Sequence, residues 1–442
     1  LVAFNLMRAV RMHTDLWDLF INTVKAEVIP ALGCTEPVAV GLAAAIARSK
    51  LQEAPESIQA EVSPNLMKNG MGVRVPGTGM TGLAIAAAAG AIGGDADAGL
   101  EVFHTLNDAN VNTAKTLIGK GKVKITVADT SRALFAKVTL FAQQRWVRVT
   151  IADTHTNVVA IEENGITTFR QQPPSSTAPD SNMPKLPSQT TVQDIYQFIT
   201  EVPLQRLAFI ERAKQLNEAL SQEGLNADYG LQVGATLQRH VARGLLSGGL
   251  LTDVISRSAA ASDARMGGAM LPAMSNSGSG NQGIAATMPV VVAAEYLQSS
   301  HEQLLRALML SHLLAIYIKQ HQHKLSALCA VTTAAMGSAA GITYLLGGDY
   351  QQISYAVSSM IGDVAGVICD GAKNACAMKV SSSAGSAVKS SLMAIDNIHV
   401  TGQEGIVADD VDSSIRNLSA LANGAMSHTD QQILDIMVQK AL

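Results

Sequence analysis

Aromatic rings and cysteines are both scarce in this chain. Phe, Trp and Tyr make up 4% of 442 residues, although hydrophobic residues reach 48%. Ala, Gly, Ser and Met fill the gap, and small side chains let helix backbones approach closely. That predicts a helix-rich interior, in a chain long enough for two or three domains. Four cysteines in a chain with no visible secretory signal do not make a disulfide framework. In a reducing cytoplasm, the expected location, they are buried thiols, a nucleophile or base, or metal ligands. Positive charge is not in excess either. With 32 Lys and Arg against 36 Asp and Glu, the net charge is −4, which argues against a nucleic-acid partner.

The first residues, "LVAFNLMRAVRMH", are apolar but carry Arg8 and Arg11 and lack a small-residue cleavage site. Met12 is a natural start, so no function is placed on residues 1–11. Residues 325–348 contain no charged side chain and are long enough to cross a bilayer. They also hold Ser326, Thr332, Thr333, Ser338 and Thr343, several glycines and Cys329, with no basic cluster directly after them. A buried central helix, or a broken pair of helices, is the better reading, and no membrane partner is expected.

"HTDLWDLFINTVKAEVIPAL" is an amphipathic helix with Leu16, Leu19, Phe20, Val24 and Val28 on one face. A second helix is expected after Gly33-Cys34, with Thr35 as cap, Glu36 at the positive end of the dipole and Pro37 in the first turn. From about Ile58 the period changes. "KVKITV" and "WVRVTI" alternate, and "NVVAIEENGITTF" places Asn164-Gly165, a hairpin signal, between two strand-like runs. "GLAIAAAAGAIGG" is helical. "QQPPSSTAPDSNMPKLPSQ" is a linker or exposed loop. Beyond it the chain is helical, with one helix marked by Leu204, Leu207, Ile210, Ala213 and Leu216 and stopped near Gly224, and an amphipathic last helix, "DQQILDIMVQKA". No fixed-period repeat is present. The expected class is α+β: a small domain with an antiparallel sheet plus a larger, mostly α-helical domain that carries three of the cysteines. The expected divisions are N-terminal helices over residues 1–57, an α+β domain over 58–170, the linker or loop over 171–189 and a helical domain over 190–442.

The cysteines come first among residues that can carry chemistry. Cys329, Cys369 and Cys376 are spaced C-x39-C-x6-C. A continuous helix would hold the last two about 10 Å apart, but Asp370-Gly371 is a turn signal that could fold both onto one metal centre. Spacing alone leaves metal ligands and inert core thiols equally open. Cys34 precedes a helix N-terminus, where the dipole and free N–H groups favour a thiolate able to act as base, nucleophile or ligand. Thr35 and Glu36 beside it are candidate substrate contacts. Three further stretches are too polar for plain core. "SPNLMKNGMGVRVPGTGMTG" offers Asn65, Lys68 and Asn69, and then Gly77, Thr78 and Gly79. "MLPAMSNSGSGNQGI" offers Ser275, Asn276, Ser277, Gly278 and Asn281, a loop suited to a carboxylate or a phosphate. "ADTHTNVV" places His155 and Asn157 near a strand end. Asp263 and Arg265 are expected to pair with each other. Lys379, just after Cys376, could bind a substrate carboxylate or offset the charge of a cluster.

Five strings, "ALGCTEPVAV", "VSPNLMKNGMGVRVPGTGM", "AASDARMGGAMLPAMSNSGSGNQGI", "LSALCAVTTAAMG" and "MIGDVAGVICDGAKNACAMKVS", resemble the L-cysteine desulfidase family, which is related to the alpha chain of iron–sulfur L-serine dehydratases. The resemblance runs from about Leu16 to the C-terminus. It implies a serine-dehydratase-alpha-like domain over 190–442 and a [4Fe–4S] cluster on Cys329, Cys369 and Cys376. It also implies Cys34 as proton acceptor and a carboxylate-binding loop at Ser275 to Asn281. The serine dehydratases space their last two cluster cysteines more widely and lack Gly-Cys-Thr-Glu-Pro, so the resemblance favours L-cysteine over L-serine. The implied reaction is β-elimination of a small amino acid to sulfide, pyruvate and ammonia. Two other classes stand beside it. A pyridoxal-phosphate lyase would need a lysine context that does not stand out, and a non-catalytic iron–sulfur module would use all four cysteines as ligands. Self-association is left open.

Overall fold

Phe20, Val24 and Val28 bury one face of the first helix in a different apolar core from the one the second helix joins. The computed structural model describes residues 2–171, 185–322 and 326–441; residues 172–184 of the Pro- and Ser-rich stretch lie outside them. The chain opens with α1 (Val2–Glu27), β1 (Pro30–Ala31) and α2 (Thr35–Leu51). The α2 N-cap is Cys34, in extended conformation, rather than Thr35, and its side chain does not cap. Val38, Ala39, Leu42 and Ala43 of α2 are buried, and α2 lies with α4 on one face of a sheet.

After β2 (Ser57–Val62) come α3 (Pro64–Gly70), α4 (Leu83–Gly93) and α5 (Asp108–Gly119), and then the strands β3 (Val123–Val127), β4 (Phe135–Ala142), β5 (Arg145–Ala152), β6 (Val158–Glu163) and β7 (Ile166–Arg170). The sheet order is β3-β2-β4-β5-β6-β7. Ile58, Ala60 and Val62, then Ala136, Val138 and Leu140, then Val147, Val149 and Ile151 are buried, because a strand turns alternate residues to one face. The β2–β3 pair is parallel, from Ile58 opposite Val123 to Val62 opposite Val127. The expected antiparallel sheet is therefore mixed: three helices intervene between β2 and β3, and a crossover of that length returns the chain in the same direction. The other pairings are antiparallel. Asn164 (φ 51°) and Gly165 (φ 88°) make the tight β6–β7 turn, as two positive φ values require in a two-residue hairpin.

The rest is helical, with α6 (Val192–Glu201), α7 (Glu211–Asn226), α8 (Val233–Ala242), α9 (Leu250–Met266), β8 (Ala273–Met274), α10 (Gly280–Tyr296), α11 (His301–Gln320), α12 (Ala330–Leu345), α13 (Tyr350–Val364), α14 (Cys376–Ile395), α15 (Val411–Asn423) and α16 (Met426–Ala441). The helix expected from Leu204 to Leu216 is broken: Leu204–Ile210 is 3₁₀, and α7 starts at Glu211. Gly224 does not stop α7. It lies inside the helix where α9 crosses, and a Cβ there would stand 1.9 Å from the Ala260 carbonyl oxygen. The uncharged run is α12, buried almost throughout and surrounded by α10, α11, α13 and α14. Among the described residues no helix is long and apolar enough to cross a membrane. The class is α+β.

Candidate active site

The N-terminal segment meets the helical body through a short ladder. Pro30 pairs with Met274 and Ala31 with Ala273; Ser275 donates from N and from Oγ to the Ile29 carbonyl (2.9 and 2.6 Å), and Ser277 N donates to Glu27 O (3.1 Å). This ladder delivers Cys34 to the junction. Arg265 Nε, from the end of α9, donates to the Gly33 carbonyl oxygen (3.1 Å). The Cys34 side chain is buried in a small apolar cluster with Val73 and Met266, against which Ala372 and Cys376 pack.

Cys34 Sγ donates to Glu36 Oε2 (3.0 Å), which Thr35 Oγ1 also approaches (3.2 Å). A helix N-terminus alone would favour a thiolate. Here burial, and next the Glu36 charge, push the thiol well above its ordinary value, while Arg265 pulls the other way. Cys34 therefore rests as a thiol already bonded to the carboxylate that can take its proton. His155 Nε2 stands 4.0 Å from Glu36 Oε1, and its ring faces Gly278.

The three remaining cysteines converge. Leu328 and Ile368 form an antiparallel bridge, with Cys329 N donating to Val367 O (2.9 Å) and Cys369 N to Ala327 O (2.6 Å). Gly371 (φ 92°) turns the chain back, and Cys376 opens α14, its Sγ 3.8 Å from the Gly371 carbonyl. The thiols sense one another: Cys329 is pushed up to about 12, first by burial and then by Cys369 and Cys376, and Cys376 is raised chiefly by burial, with Cys369 adding to it. Lys379 Nζ holds the Ile368 carbonyl (2.7 Å) and Asp370 Oδ1 (2.5 Å). Among the described residues no group of three or more His, Cys, Asp or Glu is set to hold a single metal ion. Three neighbouring soft sulfurs with a cation beside them do fit a multinuclear iron–sulfur group, whose irons are each bound by one protein thiolate.

α3 closes this loop from one side. Lys68 is buried, donates to the Cys369 carbonyl (3.2 Å) and pairs with Asp430 of α16. Asn69 is buried beside it, with Oδ1 lacking a hydrogen-bond partner among the described residues, and Asn65 is half-buried on the same helix. The other expected contacts have local partners. Thr78 Oγ1 donates to Val75 O (2.8 Å) and accepts from Met80 N (3.1 Å) within its own turn, while Gly77 and Gly79 are exposed. Asn157 Nδ2 donates to Ala152 O (3.0 Å) and reaches Gln171 at the hairpin. In the glycine loop Ser277 Oγ donates to Asn276 Oδ1 (2.8 Å), and Asn281 Oδ1 accepts from Ser262 Oγ (3.1 Å).

Asp263 does not pair with Arg265. Its carboxylate accepts from Gly234 N (3.0 Å) at the start of α8, and burial pushes it up to about 6. His312 is missed by sequence reading because nothing local marks it. Fully buried and lowered by that burial to about 3, it stays neutral. Its Nδ1 accepts from Asn276 Nδ2 (3.1 Å) and its Nε2 donates to Thr287 Oγ1 (2.9 Å), so it props the glycine loop from beneath.

Comparison with known proteins agrees with this geometry. A family model described as serine dehydratase alpha chain matches residues 97–435. A UPF0597 protein of Photobacterium profundum is 65% identical over 429 residues, 97% of this chain and 100% of the relative. Another, from Shewanella pealeana, is 61% identical over 97% of this chain and 100% of its own length, and one from Yersinia enterocolitica is 57% identical over 96% and 97%. The chain belongs to the serine dehydratase alpha chain family.

Proposed function

We propose that the protein is an iron–sulfur-dependent lyase that eliminates sulfide from L-cysteine, leaving aminoacrylate, which water hydrolyses to pyruvate and ammonia. The observation that carries this reading is the convergence of Cys329, Cys369 and Cys376, with Cys34 packed against the last of them. Held by those three thiolates, a [4Fe–4S] cluster would supply an iron free of protein ligands, a Lewis acid toward the departing sulfur. The chain's own residues handle the proton. Cys34 gives its thiol proton to Glu36 Oε2, across the existing 3.0 Å bond, and the thiolate takes the α-proton of the substrate. The electron pair of the Cα–H bond becomes the Cα–Cβ double bond, the pair of the Cβ–S bond leaves with sulfur, and no external oxidant is needed. Arg265 has the sign of charge that favours the transient thiolate. Burial of Cys34 keeps bulk water from quenching it.

An anaerobic assay of sulfide and pyruvate from L-cysteine, with iron counted on the same sample, tests the proposal. Equimolar products scaling with iron support it, and their absence from iron-replete protein refutes it. Family membership brings in L-serine as a second substrate, with the same base and water as the leaving group. The ratio of kcat/KM for the two amino acids decides between them.

A further inference from the structure

Arg265 is 3% exposed, yet among the described residues its guanidinium makes no ion pair. Nε is committed to the Gly33 carbonyl, Nη1 lies 3.3 Å from Met266 Sδ, a weak acceptor, and Nη2 has no protein acceptor among the described residues. A buried cation without a counter-charge is strongly unfavourable, so such a group calls for an anion. A second, independent observation lies against it. α10 begins at Gly280 with no side-chain cap, and the amides of Gly280, Asn281 and Gln282, all buried, donate to no acceptor among the described residues. Free N–H groups at the positive end of a 17-residue helix bind anions. The two features touch: a Cβ on Gly280 would stand 2.2 Å from Arg265 Nε, so glycine there is what lets the guanidinium lie across the helix end. The loop's own side chains, by contrast, are spent on internal hydrogen bonds.

We propose that Arg265, together with the uncapped amino end of α10, binds the α-carboxylate of the substrate amino acid. A planar guanidinium matches a carboxylate with two parallel donors. Its Nε already grips the carbonyl of the residue preceding Cys34, so a carboxylate held there sets the adjoining Cα–H toward the Cys34 sulfur. The identity of the substrate rests on the lyase reading; carboxylate binding does not.

L-alanine has no β-substituent to lose and serves as the probe, with L-alaninamide as its neutral counterpart. Calorimetric titration of the full-length protein should show L-alanine binding at least tenfold more tightly than the amide. Arg265→Gln should weaken L-alanine at least tenfold and erase the difference, Arg265→Lys should recover part of it, and Gly280→Ala, which displaces the guanidinium without removing it, should mimic the loss. Equal binding of the two probes by the unaltered protein, no saturable binding of L-alanine, or a folded Arg265→Gln protein that binds it undiminished would each overturn the proposal. If L-alanine binding depends on Arg265 but L-cysteine yields no sulfide, the lyase reading fails and the carboxylate site stands. If Arg265→Gln turns over L-cysteine with unchanged KM, the reverse holds.

Discussion

The thiol of Cys34 donates to Glu36 Oε2 at 3.0 Å, two residues along the same helical turn. Base and proton sink are thus set by one local conformation, and the rest of the fold only has to bury them. Cys34→Ala should abolish sulfide release while the iron–sulfur absorbance persists. Glu36→Gln should lower kcat about 100-fold with little change in KM. Because the Glu36 charge raises the Cys34 thiol, the residual rate of that variant should climb with pH as solvent takes over the proton. Glu36→Asp should restore part of the neutral-pH rate, and a pH profile of kcat for the three proteins checks this.

Serine at Cys329, Cys369 or Cys376 should each lower bound iron severalfold, and chelation of the unaltered protein should stop turnover until iron and sulfide are restored. In metal-free protein Cys329 keeps its proton to about 12. Its folded value lies above its unfolded one, so its contribution to stability is complete below about pH 9 and is lost as pH rises through 12. Unfolding of metal-free protein at pH 8 and pH 10.5 should show that loss, and Cys329→Ala should reduce it.

Asp263 supplies a pH dependence nearer neutrality. Raised to about 6 from its ordinary 3.8, it binds its proton more tightly folded than unfolded. Its contribution is therefore full below about pH 4 and falls as pH rises through 6. Asp263→Asn should remove about 2 kcal/mol of the stability difference between pH 4.5 and pH 7.5, read from urea midpoints of the two proteins.

Lys68 and Asp430 form a buried pair that also holds the Cys369 carbonyl. Asp430→Asn leaves the ammonium without a counter-charge, at a cost of about 3 kcal/mol. The same change should lower iron retention under dialysis, because the carbonyl it steadies belongs to a ligand-bearing loop. Replacing both residues by methionine should recover stability but not iron retention.

What can be read along the chain is what local geometry dictates. Alternation marks β3 and β5, Asn164-Gly165 demands its hairpin, and Asp370-Gly371 forecasts the bend that folds Cys369 and Cys376 together. What escapes is set across space. The direction of β3 depends on the helices that precede it. Asp263 and Arg265 are two apart on a helix and so face different neighbours. The thiol of Cys34 follows from burial by segments far away, which outweighs its favourable place at a helix end. His312 carries no local mark at all; only its position under Asn276 shows its part.

The buried bond between Lys68 and Asp430 spans 362 residues of sequence. A ribosome releases Cys34, Lys68 and all three clustered cysteines before it makes the partner that locks them. A nascent or C-terminally clipped chain therefore presents its thiols in an unclamped loop, and lasting iron capture has to wait for the final helix.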